Sequence, residues 1–299
     1  MDRLYGWTGL VMRIDLSLRS AVCLPTVDYI DRFIGGRGLA GRMYWNDVGA
    51  GTGAFDQENH LYFMTGPLCA TPSPASSRWV VVGKSPMADP EQYASGNLGG
   101  HLGAALKWAG LDGLDILGAS AGPVVLVVEP GGACLFEDAS FLWGMDAFST
   151  IEAVQAKYGH KAPVATIGRA GERLVRYAAI IGSGGVSATK GFGAVMGSKQ
   201  LKAVVVRAEK RPVPVARPDA LKHTIHEIRD LWKGEQSERY WNDLILEDVT
   251  KESSCFCYSC PGVCRRGLYR NTQGEPGYRK SCVSAFFYSM HEKLSLIHI

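Results

Sequence analysis

The chain has 299 residues, 46% of them hydrophobic and 20% charged, with a net charge of +3. These fractions suit a globular protein of one large or two ordinary domains, and the near-neutral balance argues against a nucleic-acid tether or a membrane-surface patch. No apolar run reaches the length of a membrane span, and the first residues carry no signal-peptide core, so the eight cysteines are expected in a reducing, cytoplasmic compartment. Val11 to Leu16 alternates like a half-buried strand. Thr26 to Ile34 reads as a helix that begins at a threonine cap and stops at Gly35-Gly36. Leu61 to Thr65 and Trp79 to Gly83 read as buried strands, and His101 to Ala109 as a short helix closed by Gly110. Leu114 to Leu117 and Val124 to Val128 are further strands. Cys134 to Asp138 should pair with the latter across a Gly131-Gly132 turn. Met145 to Tyr158 has the period of an amphipathic helix; Val164 to Ile167 and Lys202 to Arg207 return to strand.

Pro212, Pro214 and Pro218 mark a linker, after which the composition changes. Pro218 to Gly234 reads as a helix with proline in its first turn and Leu221, Ile225, Ile228 and Leu231 on one face. The expected organisation is α+β, with a β-rich unit over residues 1–211 and the start of a mainly helical unit over residues 212–299. About 85 residues of cysteine-bearing helical domain are too few to stand alone. The expectation is therefore that the sequence is a piece of a longer protein and that its last few residues are not native.

Four cysteines fall within Cys255-Phe-Cys257-Tyr-Ser-Cys260-Pro-Gly-Val-Cys264, and Cys282 follows. Cysteines this close cannot all reach good disulfide geometry with one another. A metal or an iron–sulfur cluster needs several thiolates converging on one point, and short spacings supply them. Cys257, Cys260 and Cys264, at x2 and x3 spacing, give three ligands from one loop. A [4Fe–4S] cluster needs a fourth, from Cys255, Cys282 or elsewhere. Structural zinc is the rival, although it usually shows two separated ligand pairs and here there is one triplet.

Two glycine-rich stretches come earlier. Gly96-Asn97-Leu-Gly99-Gly100-His-Leu-Gly103 runs toward a helix, an arrangement that can hold phosphate. Gly182 to Lys199 is the second, with Lys190 and Gly191 at its centre. Neither is a Walker loop nor a dinucleotide fingerprint, and the plainer reading of each is tight turns and close packing. Arg78 opens the strand at Trp79, and its plainer reading is a solvated surface charge.

Six blocks in order carry a resemblance. They are Gly35-Gly-Arg-Gly-Leu-Ala40, Thr65-Gly-Pro-Leu68, Lys84-Ser-Pro86, Leu106-Lys-x-Ala-Gly110, Ile167-Gly-x-Ala-Gly-Glu172 and Gly193-Ala-Val-Met-Gly-Ser-Lys-x-Leu-Lys-Ala203. Together with the cysteine triplet they resemble the tungsten-containing aldehyde:ferredoxin oxidoreductase family, nearly to Tyr288. Six ordered blocks are far more specific than any one motif. The resemblance implies a β-rich first domain seating a bis-pyranopterin that holds tungsten or, less often, molybdenum. It also implies Mg²⁺ bridging the pterin phosphates, with Asn97 near the magnesium and Arg78 between the cluster and a pterin. Gly96, Gly99, Gly100, Gly103, Lys190 and Gly191 would line the cofactor. Cys257, Cys260 and Cys264 match three of the four [4Fe–4S] ligands; the fourth family cysteine lies farther downstream than this sequence reaches. Implied partners are ferredoxin or another electron-transfer subunit, in a homo- or hetero-oligomer, and an aldehyde or aromatic acyl-CoA as substrate.

The sequence departs from the family twice. Thr189-Lys190-Gly191 stands where many members have Arg-Gly-Gly, and lysine is a point charge without the arginine fork. Cys282 stands where aldehyde-oxidising members carry a catalytic glutamate. The region Gly274 to Cys282 is more similar to the tungsten subunit of class II benzoyl-coenzyme A reductases, in which a cysteine ligates tungsten. The competing expectation is a non-enzymatic β-rich binding domain with a structural zinc module.

Overall fold

The structure is a computed structural model, and it describes residues 4–234, 249–254, 257–260, 267–271 and 273–274. Two six-stranded sheets carry the chain. The first contains β1 (Leu10–Asp15), β2 (Ser20–Pro25), β3 (Leu61–Thr65), β4 (Trp79–Ser85), β5 (Gln92–Leu98) and β6 (Gly113–Leu117), in the order β2-β1-β6-β3-β4-β5. The second contains β7 (Val124–Val128), β8 (Cys134–Asp138), β9 (Val164–Thr166), β10 (Ile180–Gly182), β11 (Val186–Ala188) and β12 (Leu201–Val206), in the order β11-β10-β9-β12-β7-β8. The helices are α1 (Val27–Ile30), α2 (Gly36–Asp47), α3 (Leu102–Trp108), α4 (Ala147–Tyr158), α5 (Arg169–Glu172), α6 (Phe192–Ser198) and α7 (Pro218–Gly234). A ribbon of β13 (Val249–Ser254) and β14 (Gly267–Asn271) follows. The α+β, β-rich expectation for the first unit holds. Among the described residues no helix is long and apolar enough to cross a membrane.

Side chains alternate between two faces along a strand, and here both faces are covered. On β4, Trp79 and Val81 point into a core shared by both sheets, with Leu102 and Leu106 of α3 and Phe192 and Met196 of α6. Val80 and Val82 point the other way, onto Leu39, Ala40 and Met43 of α2. The second sheet repeats the pattern. Val124, Leu126 and Val128 join the shared core, and Val125 and Val127 face Ile151 and Val154 of α4. The layers therefore run α2, first sheet, α3 with α6, second sheet, α4. This is why β3, β4 and β7 are continuous apolar runs.

Three stretches differ from the sequence reading. Gly182 to Lys199 is not a loop but holds β11 and α6. Thr26 to Ile34 is not one helix: α1 is a single turn, and Thr26 makes no side-chain cap. Gly35 and Gly36, read as a stop, instead open α2, with φ values of 101° and 51°. Gly35 has Thr65 O and Trp7 3.2 Å from where a Cβ would stand, so only glycine makes that approach. Third, Gly96, Asn97 and Leu98 are not loop but the end of β5. Its polar and glycine residues hide the strand period. Helix α4 starts where its cap dictates, with Asp146 accepting from the N–H groups of Phe148 and Ser149 at 2.9 and 3.0 Å.

Candidate functional site

The site forms where the two glycine stretches and the cysteine turn meet. Antiparallel pairing sets Trp79 opposite Leu98 and Val80 opposite Asn97. Arg78 directly precedes Trp79, so it stands at the paired end of β4 and β5. Arg78 and Asn97 are both exposed. The Trp79 indole N–H donates to Gly99 O (3.0 Å), which fixes the strand end from the core side. Gly103 lies in α3, where a Cβ would stand 3.1 Å from both Cys69 and Trp79. Burial pushes the Cys69 thiol up to about 12, so it stays neutral there.

The second stretch packs on the first. A Cβ at Gly96 would stand 3.2 Å from Ala188, and one at Gly100 (φ +80°) would stand 3.3 Å from Val186. The β10–β11 hairpin thus closes on the end of β5. Lys190 and Gly191 lie farther along. Ser85 Oγ donates to Lys190 O (2.7 Å), and a Cβ at Gly191 would meet Arg176 O and Pro86. The structure therefore brings Arg78, Asn97, Gly96, Gly99, Gly100 and Gly103 together and places Lys190 and Gly191 toward the other end of β4.

The cysteine turn is seated on this junction. Cys260 N donates to Cys257 O (3.2 Å), closing the turn, and Tyr258 N donates to Gly100 O (3.0 Å). Ala75 N donates to Ser259 O (2.8 Å), and Ser259 Oγ to Pro72 O (3.2 Å). The Tyr258 hydroxyl donates to Ala70 O (3.0 Å), and its ring meets Trp108 edge-on at 5.5 Å and His101 at 6.4 Å. A Cβ at Gly99 would stand 2.7 Å from Cys257 Sγ, so the missing side chain is the space the sulfur uses. Sequence reasoning missed Ser77, which neighbours Gly99, and Tyr258. The only signal for Tyr258 was its place between two cysteines. Cys255, Cys264 and Cys282 lie outside the described residues.

Two half-buried thiols from one turn suit a soft metal or a cluster. Exposed Arg78 and Asn97 beside closely packed glycine backbone suit an anionic group. Another cluster, Asp47, His60 and Asp115, has metal-ligand side chains converging within 4.8 Å. Arg13 already binds both carboxylates there, at 2.5 and 2.6 Å, and His60 meets Asp115 at 2.7 Å. A permanent cation takes the charge a metal would otherwise balance, so we read this group as an ion-pair network bracing β1, α2 and β6.

Residues 11–208 match the family model described as aldehyde ferredoxin oxidoreductase, N-terminal domain. The chain is 36% identical over 212 residues to the tungsten-containing aldehyde ferredoxin oxidoreductase of Pyrococcus abyssi, covering 70% of this chain and 34% of that protein. It is 30% identical over 248 residues to the aliphatic sulfonate oxidoreductase, WOR-like subunit, of Pyrococcus furiosus, covering 77% and 38%. Among solved structures it is similar to the active-site complex BamBC of benzoyl-coenzyme A reductase in complex with 1,5-dienoyl-CoA. The TM-score there is 0.73 at 34% identity, covering 77% of this chain and 35% of that one. The chain thus spans about a third of the length of these relatives. By its matched residues and its two-sheet architecture, the chain belongs to the aldehyde ferredoxin oxidoreductase family, of which it carries the N-terminal domain.

Proposed function

We propose that the protein containing this chain is a tungsten (or molybdenum) pterin oxidoreductase with a [4Fe–4S] cluster, acting in the cytoplasm with ferredoxin or another electron-transfer subunit. The observation that carries the reading is the seating of the Cys257–Cys260 turn on Gly99 and Gly100, beside Arg78. In this reading Cys257, Cys260 and Cys264 hold iron, and residues 212–299 open the domain that completes the cluster. Arg78 would supply a permanent positive charge to the cofactors, and Asn97 with Gly96, Gly99, Gly100 and Gly103 would hold the pterin phosphates and their Mg²⁺. Lys190 and Gly191 approach the same floor through Ala188 and Thr189, whose carbonyl oxygen stands 3.3 Å from where a Cβ of Gly96 would be. The bound metal and pterin supply the redox chemistry, and the chain supplies position and charge.

The substrate is an aldehyde or an aromatic acyl-CoA, and Cys282 favours the second. Arg279 and Lys280 precede it, and nearby positive charge favours the thiolate a metal needs. A thiolate bound to metal does not move a proton as a glutamate would. Metal analysis of the full-length protein tests the family-level reading: tungsten with iron supports it, and zinc alone replaces it with the structural-zinc reading. Cys260→Ser should lower iron and bleach the visible absorbance, whereas Cys255→Ser should not, because the x2, x3 triplet is complete without Cys255. Equal iron loss in both variants would refute the ligand assignment. X-ray absorption at the tungsten edge should show one sulfur neighbour beyond the dithiolenes, absent in Cys282→Ala; an unchanged sulfur count would return the substrate reading to aldehydes.

A further inference from the structure

The chain after β12 folds back over the turn that holds Ala70 and Pro72. Gly6 N donates to Pro214 O (2.8 Å), and Val213 is buried beside Ala70 and Ala104. Between this segment, the turn and α7 lies a cleft of about 780 Å³. Tyr258 and Ser259, the two residues that join Cys257 to Cys260, form one wall. Lys210, Arg211 and Arg229 line it as well; all three are exposed, and among the described residues no carboxylate lines the cleft.

We propose that this cleft docks an acidic protein electron carrier of the ferredoxin type, with Lys210, Arg211 and Arg229 steering it to the cysteine turn. The inference rests on the iron-holding reading of that turn. Three like charges lining a concave wall focus a positive potential outward over roughly a Debye length, about 10 Å at moderate salt. Pro212, Pro214 and Pro218 stiffen the wall that presents them, so little ordering entropy is lost when a partner binds. A nucleotide tail would satisfy the same three cations. It would gain nothing, however, from a wall made by the residues between two cysteines, whereas a carrier seated there meets the backbone that bears both thiols.

The test uses the full-length protein with its metals. One variant carries Lys210→Glu, Arg211→Glu and Arg229→Glu; a second carries glutamine at the same positions. Each is titrated with an acidic two-cluster ferredoxin at low and moderate salt. The glutamate variant should bind about tenfold or more weakly at low salt, the glutamine variant less so, and both should show a shallower dependence of log Kd on log salt. Iron content and the reaction with the small dye methyl viologen should match the parent. Parental affinity and salt dependence in both variants overturn the proposal, as does a parent that shows no saturable ferredoxin binding. Loss of coenzyme A binding in the variants, with ferredoxin binding intact, overturns it too. The Kd is read without reference to iron. Failure of the underlying reading shows separately, as unchanged iron in Cys260→Ser.

Discussion

At Gly99 a Cβ would stand 2.7 Å from Cys257 Sγ, well inside a normal carbon–sulfur contact. The Trp79 indole holds Gly99 from the other side, so the cysteine turn has to move if a side chain is added. Gly99→Ala should therefore lower iron per chain in the full-length protein by more than half, while far-UV circular dichroism stays parental. Gly110→Ala is a suitable control. Gly110, unlike Gly99, is a left-handed glycine (φ +91°), and nothing lies within 4 Å of its Cβ direction, so its cost is confined to backbone strain. Full iron in Gly99→Ala would show that the sulfur's position here is not the one it holds with metal. The glycine was visible in the sequence. Its reason was not, because the atom it makes room for lies on a separate segment far along the chain.

The cysteine turn is an element without regular secondary structure, held by Tyr258. One hydrogen bond runs from its hydroxyl to Ala70 O, between residues 188 apart in sequence, and its ring packs with Ala70, Ala104, Trp108 and Val213. A net hydrogen bond is worth about 1 kcal/mol, so Tyr258→Phe should raise local opening about fivefold. Tyr258→Ala also removes the ring and should raise it well beyond tenfold. The measurement is alkylation of Cys257 and Cys260 in metal-stripped protein, against the rate at exposed Cys23. Equal rates in parent and Tyr258→Ala would mean that the ring does not hold the turn. Among regular elements, α2 and β5 were the hard ones to read. Helix α2 buries only Leu39, Ala40 and Met43, interspersed with Arg37 and Arg42 and behind a glycine pair, so its apolar stripe is too narrow to stand out. β5 is polar and glycine-bearing because one face packs on a hairpin of the other sheet and the rest faces solvent.

Lys199 acts at the scale of the whole molecule. It is 1% exposed and donates to Gln57 O and Gly118 O, both at 3.1 Å, tying the end of α6 to the loop before β3 and to the link between the two sheets. Burial pulls its pKa from 10.5 down to about 8, against the upward pull of Glu58 and Asp115. The unfolded chain therefore binds the proton more tightly than the folded one. The penalty is full below pH 8 and is relieved as pH rises from about 8 to 10.5. Relative to Lys199→Met, the parent should gain about 2–3 kcal/mol across that window, read from denaturant midpoints at each pH. A flat difference would place the ammonium in contact with water.

By itself the sequence determined the family, through six ordered glycine- and lysine-bearing blocks, and the strands buried on both faces, whose unbroken apolar runs permit little else. It also determined the cysteine spacing, because ligand spacing is a local property of the chain. Tertiary structure alone decided what those cysteines rest against, that Arg78 lies at the end of β4 that pairs with Leu98, that Lys190 lies toward the opposite end of β4, and that Lys210, Arg211 and Arg229 share a cleft with the cysteine turn. Each of those facts depends on strand register and on packing between segments far apart in the chain. A residue's own neighbours in sequence carry no information about such contacts.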